Sequence, residues 1–173
     1  MIKNFTKDKQ NITADWEPIN VSMIEGVEFK EVRNVIKDNG YLTEMFRSEW
    51  FDNTEIGQVF RVHLQPGAIS AWHAHAITVD RLSIIHGAVK VVLFDARPDS
   101  PTAGKINEFK LSEHRPGIVL IPPGVWHGVQ NINHNASMIL NMVDKAYIYE
   151  NPDHLRIDFD DLQIPYTFEK RSI

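Results

Sequence analysis

An all-β barrel or sandwich is the fold this sequence predicts, on three observations. Short apolar segments rich in Val, Ile and Phe recur from Val27 onward, Gly, Pro and Asn punctuate them, and no convincing amphipathic helical run interrupts them. At 173 residues the chain can bury one substantial core and is too short for two full-sized domains. The expected organisation is a polar N-terminal arm over residues 1–25, ordered only where it packs on something else, followed by one domain over residues 26–173.

The elements follow in order. "VEFKEVRNVI" and "YLTEMF" are strand-forming stretches joined by the turn "DNG", and "QVFRVHL" and "AISAWHAH" flank the turn "QPG". "RLSIIHG" runs into "AVKVVLFD", the polar loop "ARPDSPTAGK" follows, and "INEFKLS" resumes the strand pattern. After "RPG" come "IVLIPPG", "HGVQNI" and "SMILNMV". Only "NPDHLR" is expected to form a helical turn. There is no internal repeat.

Charge and composition narrow the function. The net charge of -5 is spread along the chain, so the basic stripe that nucleic acid or an acidic membrane requires is missing, and a small-molecule ligand is expected. With no cysteine, disulfides are excluded and any metal must be held by nitrogen and oxygen. No apolar run has the length of a signal peptide core or a membrane span, which points to the cytoplasm.

Chemistry concentrates in two blocks. On a strand, His73 and His75 share one face while Trp72 and Ala74 take the other. Five residues separate Gly67 from His73, four separate His75 from Asp80, and six separate Asp80 from Gly87. The second block runs Gly117, Pro122, Gly124, His127 and Asn131. Two imidazoles and a carboxylate from one block and an imidazole from the other suit a divalent ion, with open positions left for substrate.

These blocks resemble the paired motifs of the cupin superfamily, with Asp80 where a glutamate is usual and one residue fewer after Gly117. The resemblance implies a cupin-type jelly-roll barrel (double-stranded β-helix) and a metal held by His73, His75, Asp80 and His127. Iron, nickel, manganese and zinc are the candidates.

From Glu44 onward the chain also resembles the dTDP-4-dehydrorhamnose 3,5-epimerase family. Asp95 and Arg97, Ser100, Pro101 and Thr102, Leu111 and Ser112, and Pro122, Gly124, His127 and Gly128 carry the likeness. "YENPDHLRIDFDDL" is similar to the family's late segment, and "DNGYLTE" keeps Gly40, Tyr41 and Glu44. The resemblance implies that His73 removes a proton beside a sugar ketone and that Asp161 orients it, with His127 as a third central group. It further implies a homodimer with the N-terminal segment exchanged or packed across it, and a dTDP-linked 4-keto-6-deoxy sugar substrate of rhamnose biosynthesis. Glu44 and Gln58 fall where the family contacts nucleotide. Trp72 and Trp126 are either core filling or walls for a ring-shaped substrate.

Departures from that pattern share a direction. The family's lysine near the developing enolate falls on Asp80, its glutamine on His75, its arginine-glycine pair on Ser70 and Ala71, and a further arginine on Asn39. Its acid tyrosine would lie near Asn141, with Tyr147 and Tyr149 a few residues late. Lys-to-Asp and Gln-to-His together complete a ligand set, so a metal-containing relative of the epimerases is expected; a metal-free His73–Asp161 dyad needs no cofactor. If His73 bound the metal, its lone pair would be unavailable as a base. A metal-dependent cupin of different chemistry, an oxygenase or an isomerase of a free small substrate, and a non-catalytic ligand-binding barrel remain the alternatives. His63, His86, His114, His134 and His154 are expected at surface or turn positions, although His86 precedes Gly87 and can face the barrel.

Overall fold

The computed structural model describes residues 6–7, 10, 12–14, 22–52 and 55–169. Most of the expected N-terminal arm lies outside the described residues. Of its last positions, Ile24 is buried in the core and its backbone N–H donates to the Asn107 side chain at 2.8 Å.

Among the described residues twelve strands form in chain order: β1 Glu28–Glu31, β2 Asn34–Lys37, β3 Gly40–Thr43, β4 Gln58–Leu64, β5 Ile69–Ala74, β6 Asp80–His86, β7 Ala88–Asp95, β8 Ile106–Ser112, β9 Gly117–Ile121, β10 Val125–Asn131, β11 Ser137–Val143 and β12 Leu155–Arg156. One antiparallel sheet has the order β1-β9-β6-β11-β4, a second has β12-β5-β10-β7-β8, and β2 and β3 form a separate hairpin. The all-β jelly-roll expectation holds. The helical turn expected in "NPDHLR" is instead β12, paired with β5; among the described residues the one helical element is a 3-10 turn at Ser48–Trp50. No helix among the described residues is long and apolar enough to cross a membrane.

The two sheets face each other across a core that includes Leu82, Ile84, Val91, Leu93, Val119, Ile121, Val129 and Ile139. Their outer faces are also covered. Phe46, Trp50 and Phe51 pack on Ile118, Leu120 and Met142, while Ile164 and Phe168 pack on Trp72 and Val92. Covering both faces explains why "AVKVVLFD" and "GIVLI" read as nearly continuous apolar runs rather than strict alternations.

Two glycines are dictated by the backbone. Gly87 turns the chain between β6 and β7 at φ +81°, where a side chain would be strained. Gly128 lies at the irregularity where β10 shifts register on β5, and a Cβ there would collide with the Ala71 Cβ.

The loop after β7 is braced by charge. Asp95 is fully buried and accepts from Arg97 Nε at 2.8 Å, Arg97 Nη2 at 2.9 Å and the hydroxyls of Ser100 and Thr102, each at 2.6 Å. Arg97 also donates to the Glu25 carbonyl at 2.9 Å, so this motif ties the loop to the N-terminal segment. Burial alone would push the Asp95 carboxyl up, but Arg97 and the two hydroxyls outweigh it and hold the group well below the usual carboxylate range. Because the folded value is depressed, this stabilisation is present above about pH 4 and is lost as pH falls through the folded value. Asp95→Asn is expected to cost about 1.5–3 kcal/mol at pH 7, and the cost should shrink toward acid pH in denaturant titrations.

Candidate active site

β5 alternates as expected. Trp72 turns outward onto Phe168 and Tyr166, with ring centroids 5.0 and 6.0 Å away, while His73 faces the space between the sheets. β10 runs antiparallel beside it with His127 directly opposite His73. His75 follows the end of β5, and the turn to β6 returns the chain so that Asp80 begins that strand. The Asp153 carboxylate holds this turn by accepting from the backbone N–H groups of Ala76, Ile77 and Thr78 at 2.7, 3.0 and 2.9 Å.

These elements surround a cavity of about 730 Å³ lined by His73, His75, Asp80, His127, His154 and Asn141, among others. Its volume lies within the ordinary range for small-ligand sites. The imidazoles are close neighbours: ring centroids are 6.1 Å apart for His73 and His127, 5.9 Å for His75 and His127, and 5.0 Å for His73 and His154. Asp80 is almost fully buried; its Oδ2 lies 3.4 Å from His75 Nε2 and 3.7 Å from His127 Nε2. Asn141 Nδ2 donates to Asp80 Oδ1 at 2.6 Å, and its carbonyl oxygen accepts from Arg81 N–H at 3.2 Å. Asn141, at the place of the absent family tyrosine, therefore holds the carboxylate.

The four-ligand set expected from the cupin likeness divides in two. His75, Asp80 and His127 present ligand atoms all within 4.8 Å of one another, and His73 is not among them. His73 Nε2 instead shares a 3.0 Å hydrogen bond with the Ser70 hydroxyl, and His73 Nδ1 shares one of 3.0 Å with His154 Nε2. Burial, then the surrounding imidazoles and Arg156, lower the His73 pKa to about 3, so the ring is neutral at pH 7. Burial likewise lowers His127, with Asp80 opposing it, and lowers His154.

The expected partner of His73 is not where the family likeness puts it. Asp161 does not line the cavity, and its carboxylate accepts from its own turn, Gln163 N–H at 2.8 Å. The reason is register: β12 pairs Leu155 with Ala74 and Arg156 with His73, which brings His154 to the His73 ring and carries the chain past it before Asp161. His154 is exposed, in keeping with its expected surface or turn position, and it also lines the cavity; neither it nor the neighbouring Asp153, whose carboxylate grips the β5–β6 turn, carries a motif signal in the sequence.

Other expected contacts are distributed as follows. Gln58 lines the cavity and its Oε1 accepts from Tyr147 N–H at 2.9 Å. Tyr147 and Tyr149 also line it, in edge contact at 5.2 Å, despite coming late in the sequence. Glu44 is exposed, paired with Arg47 at 3.2 Å, and does not line the cavity. Trp72 is wholly buried on the opposite face, so it is a core residue here rather than a cavity wall. His86 is exposed and pairs with Glu113 at 3.0 Å.

The fold and the histidine-lined cavity define a cupin-type jelly-roll enzyme. A family profile described as dTDP-4-dehydrorhamnose 3,5-epimerase matches residues 22–172, and the chain belongs to that family, whose enzymes are isomerases. It is 36% identical over 140 residues to the probable low-salt glycan biosynthesis epimerase Agl13 of Haloferax volcanii, covering 79% of this chain and 89% of that protein. It is 32% identical over 146 residues to the spore coat polysaccharide biosynthesis protein SpsL of Bacillus subtilis strain 168, covering 84% and 97%. The same fold occurs in the dTDP sugar isomerase of Desulfovibrio desulfuricans G20, with a TM-score of 0.78 at 24% identity over 83% of this chain and 91% of that one. The epimerase RmlC of Legionella pneumophila Philadelphia 1, solved with dTDP-4-keto-L-rhamnose, matches with a TM-score of 0.76 at 20% identity over 87% and 82%.

Proposed function

We propose that the protein is a nucleotide-sugar epimerase that acts on a dTDP-linked 4-keto-6-deoxy sugar through an enolate. The observation that carries this reading is the neutral, cavity-lining His73 in a chain belonging to the epimerase family. A neutral imidazole can take a proton from the carbon beside a ketone, and return of a proton to the other face inverts that centre. His73 is the base in this reading, and His154 and Ser70 hold its ring.

Cations at the cavity support a phosphorylated ligand. Lys145 and Arg156 line it, and both are exposed. Arg156 presents a planar fork of donors that suits a diphosphate. Replacement Arg156→Ala is expected to raise KM for the nucleotide-linked sugar by about tenfold, the equivalent of one charge-assisted hydrogen bond. Steady-state kinetics, with kcat changed much less, would check this. The Tyr147–Tyr149 pair offers aromatic surface beside the same cations, appropriate to a base or sugar ring.

The proposal includes a homodimer. Val35, Ile36, Tyr41 and Leu42 of the β2–β3 hairpin are exposed apolar side chains, which supports packing against a second copy.

The test is solvent-deuterium incorporation into dTDP-4-keto-6-deoxyglucose. Exchange at a carbon beside the ketone, well above that given by the unlinked sugar, is the expected result. Absence of exchange with the nucleotide-linked ketone would overturn the reading.

A further inference from the structure

We propose that Asp153 is a positioning residue of the epimerase reaction: its carboxylate clasps the β5–β6 turn and so sets the His154 ring against His73. The inference rests on the reading of His73 as the base.

The end of β5 presents a run of donors that only an acceptor with two oxygens can satisfy. Asp153 Oδ1 accepts from Ala76 N–H at 2.7 Å. Its Oδ2 accepts from Ile77 N–H at 3.0 Å, Thr78 N–H at 2.9 Å and the Thr78 hydroxyl at 2.8 Å. Successive backbone N–H groups in a turn make a concavity suited to an anion, and here a carboxylate of the same chain fills it. Asparagine has the same length but one acceptor oxygen, and its amide hydrogens would face donors.

The same residue stands between two imidazoles of the cavity. Its backbone carbonyl accepts from His75 Nδ1–H, and the next residue, His154, brings Nε2 to 3.0 Å from His73 Nδ1. The His75 and His154 ring centroids are 5.3 Å apart. Because both carboxylate oxygens are engaged by the turn, Asp153 acts through His154 rather than on a substrate.

Strand pairing alone specifies this placement weakly. β12 is two residues long, and both Leu155 and Arg156 are exposed, so no buried side chain there pins the register on β5. A slip of one residue would turn each side chain of the segment to the opposite face and take His154 away from His73. Downstream, Ile157 and Trp72 exchange backbone hydrogen bonds of 3.0 and 3.2 Å. Upstream, Asp153 ties the segment to the turn, so His154 is bracketed between the two attachments. The turn held in this way leads from His75 to Asp80, and the tied segment carries Tyr147 and Tyr149 along the cavity.

The experiment compares solvent-deuterium exchange into dTDP-4-keto-6-deoxyglucose by Asp153→Asn, His154→Ala and the double variant. Asp153→Asn is expected to lower exchange at saturating substrate about 10–100-fold, the scale that a misplacement of roughly 1 Å produces. In the His154→Ala background the same substitution should change exchange less than about threefold, because the group it positions is gone. Thr78→Val removes one hydroxyl donor from the clasp and keeps the side-chain volume; it should give a smaller loss with the same dependence on His154. It carries the comparison if thermal melts show that Asp153→Asn fails to fold. Long-range proton–nitrogen NMR of the histidine rings reads the clasp without turnover: the His73 and His154 ring nitrogens should shift in the clasp variant, and those of exposed His63 and His114 should not. Equal losses with and without His154 overturn the proposal, as do wild-type exchange and unshifted His73 and His154 signals in a folded clasp variant. Absence of exchange in the wild type overturns the epimerase reading instead, and the ring signals then decide the clasp.

Discussion

His73→Asn is expected to lower solvent-deuterium exchange into the keto-sugar by roughly 10²–10⁴-fold, the usual contribution of a positioned general base. Asparagine keeps polar atoms near Ser70 and His154 but cannot accept the proton at neutral pH. The defect should therefore appear in kcat, with KM for the nucleotide-linked sugar changing little. A companion pair of variants tests what holds the ring. His73 Nδ1 shares its hydrogen bond with His154 Nε2, whereas Asp161 bonds within its own turn. His154→Ala is accordingly expected to reduce exchange more than Asp161→Asn. Wild-type exchange in His73→Asn would remove this residue as the base, and a larger defect in Asp161→Asn would restore the aspartate as its partner in solution.

Trp72→Ala is expected to destabilise the fold by about 3–5 kcal/mol, the cost of emptying a large buried aromatic site. Trp72 is completely buried and packs with Val92, Ile164 and Phe168, so its removal opens the joint between the second sheet and the C-terminal segment. Trp72→Phe is expected to cost much less. It retains most of the apolar volume and deletes an indole N–H that has no hydrogen-bond partner among the described residues. Equilibrium denaturation separates the two, and folded Trp72→Phe protein should exchange deuterium into the keto-sugar like wild type because the residue faces away from the cavity. If Trp72→Phe instead raised KM for the nucleotide-linked sugar with stability unchanged, the tryptophan would be acting as a substrate wall.

The same two residues mark how far sequence reading reaches. Alternation along β5 assigns His73 and Trp72 to opposite faces, since side-chain period is a local property of an extended chain. It does not tell which face becomes the cavity and which a second core; that depended on the C-terminal segment bringing Phe168 and Ile164 over Trp72. Motif spacing likewise selected His75, Asp80 and His127. The division between those three and His73 arose from pairings of residues far apart in the chain, Ser70 and His154 on one side and Asn141 on the other.

By itself, then, the amino-acid order determined an all-β fold through local periodicity and, through its motif resemblance, the jelly roll, the family and three histidines, His73, His75 and His127, that line one cavity. Only the tertiary structure decided that His154 rather than Asp161 adjoins His73, that Tyr147 and Tyr149 reach the cavity, and that Glu44 does not. The physical reason is strand register. A shift of a few residues in how β12 lies on β5 costs little in local propensity, yet it changes which side chain reaches the reactive ring.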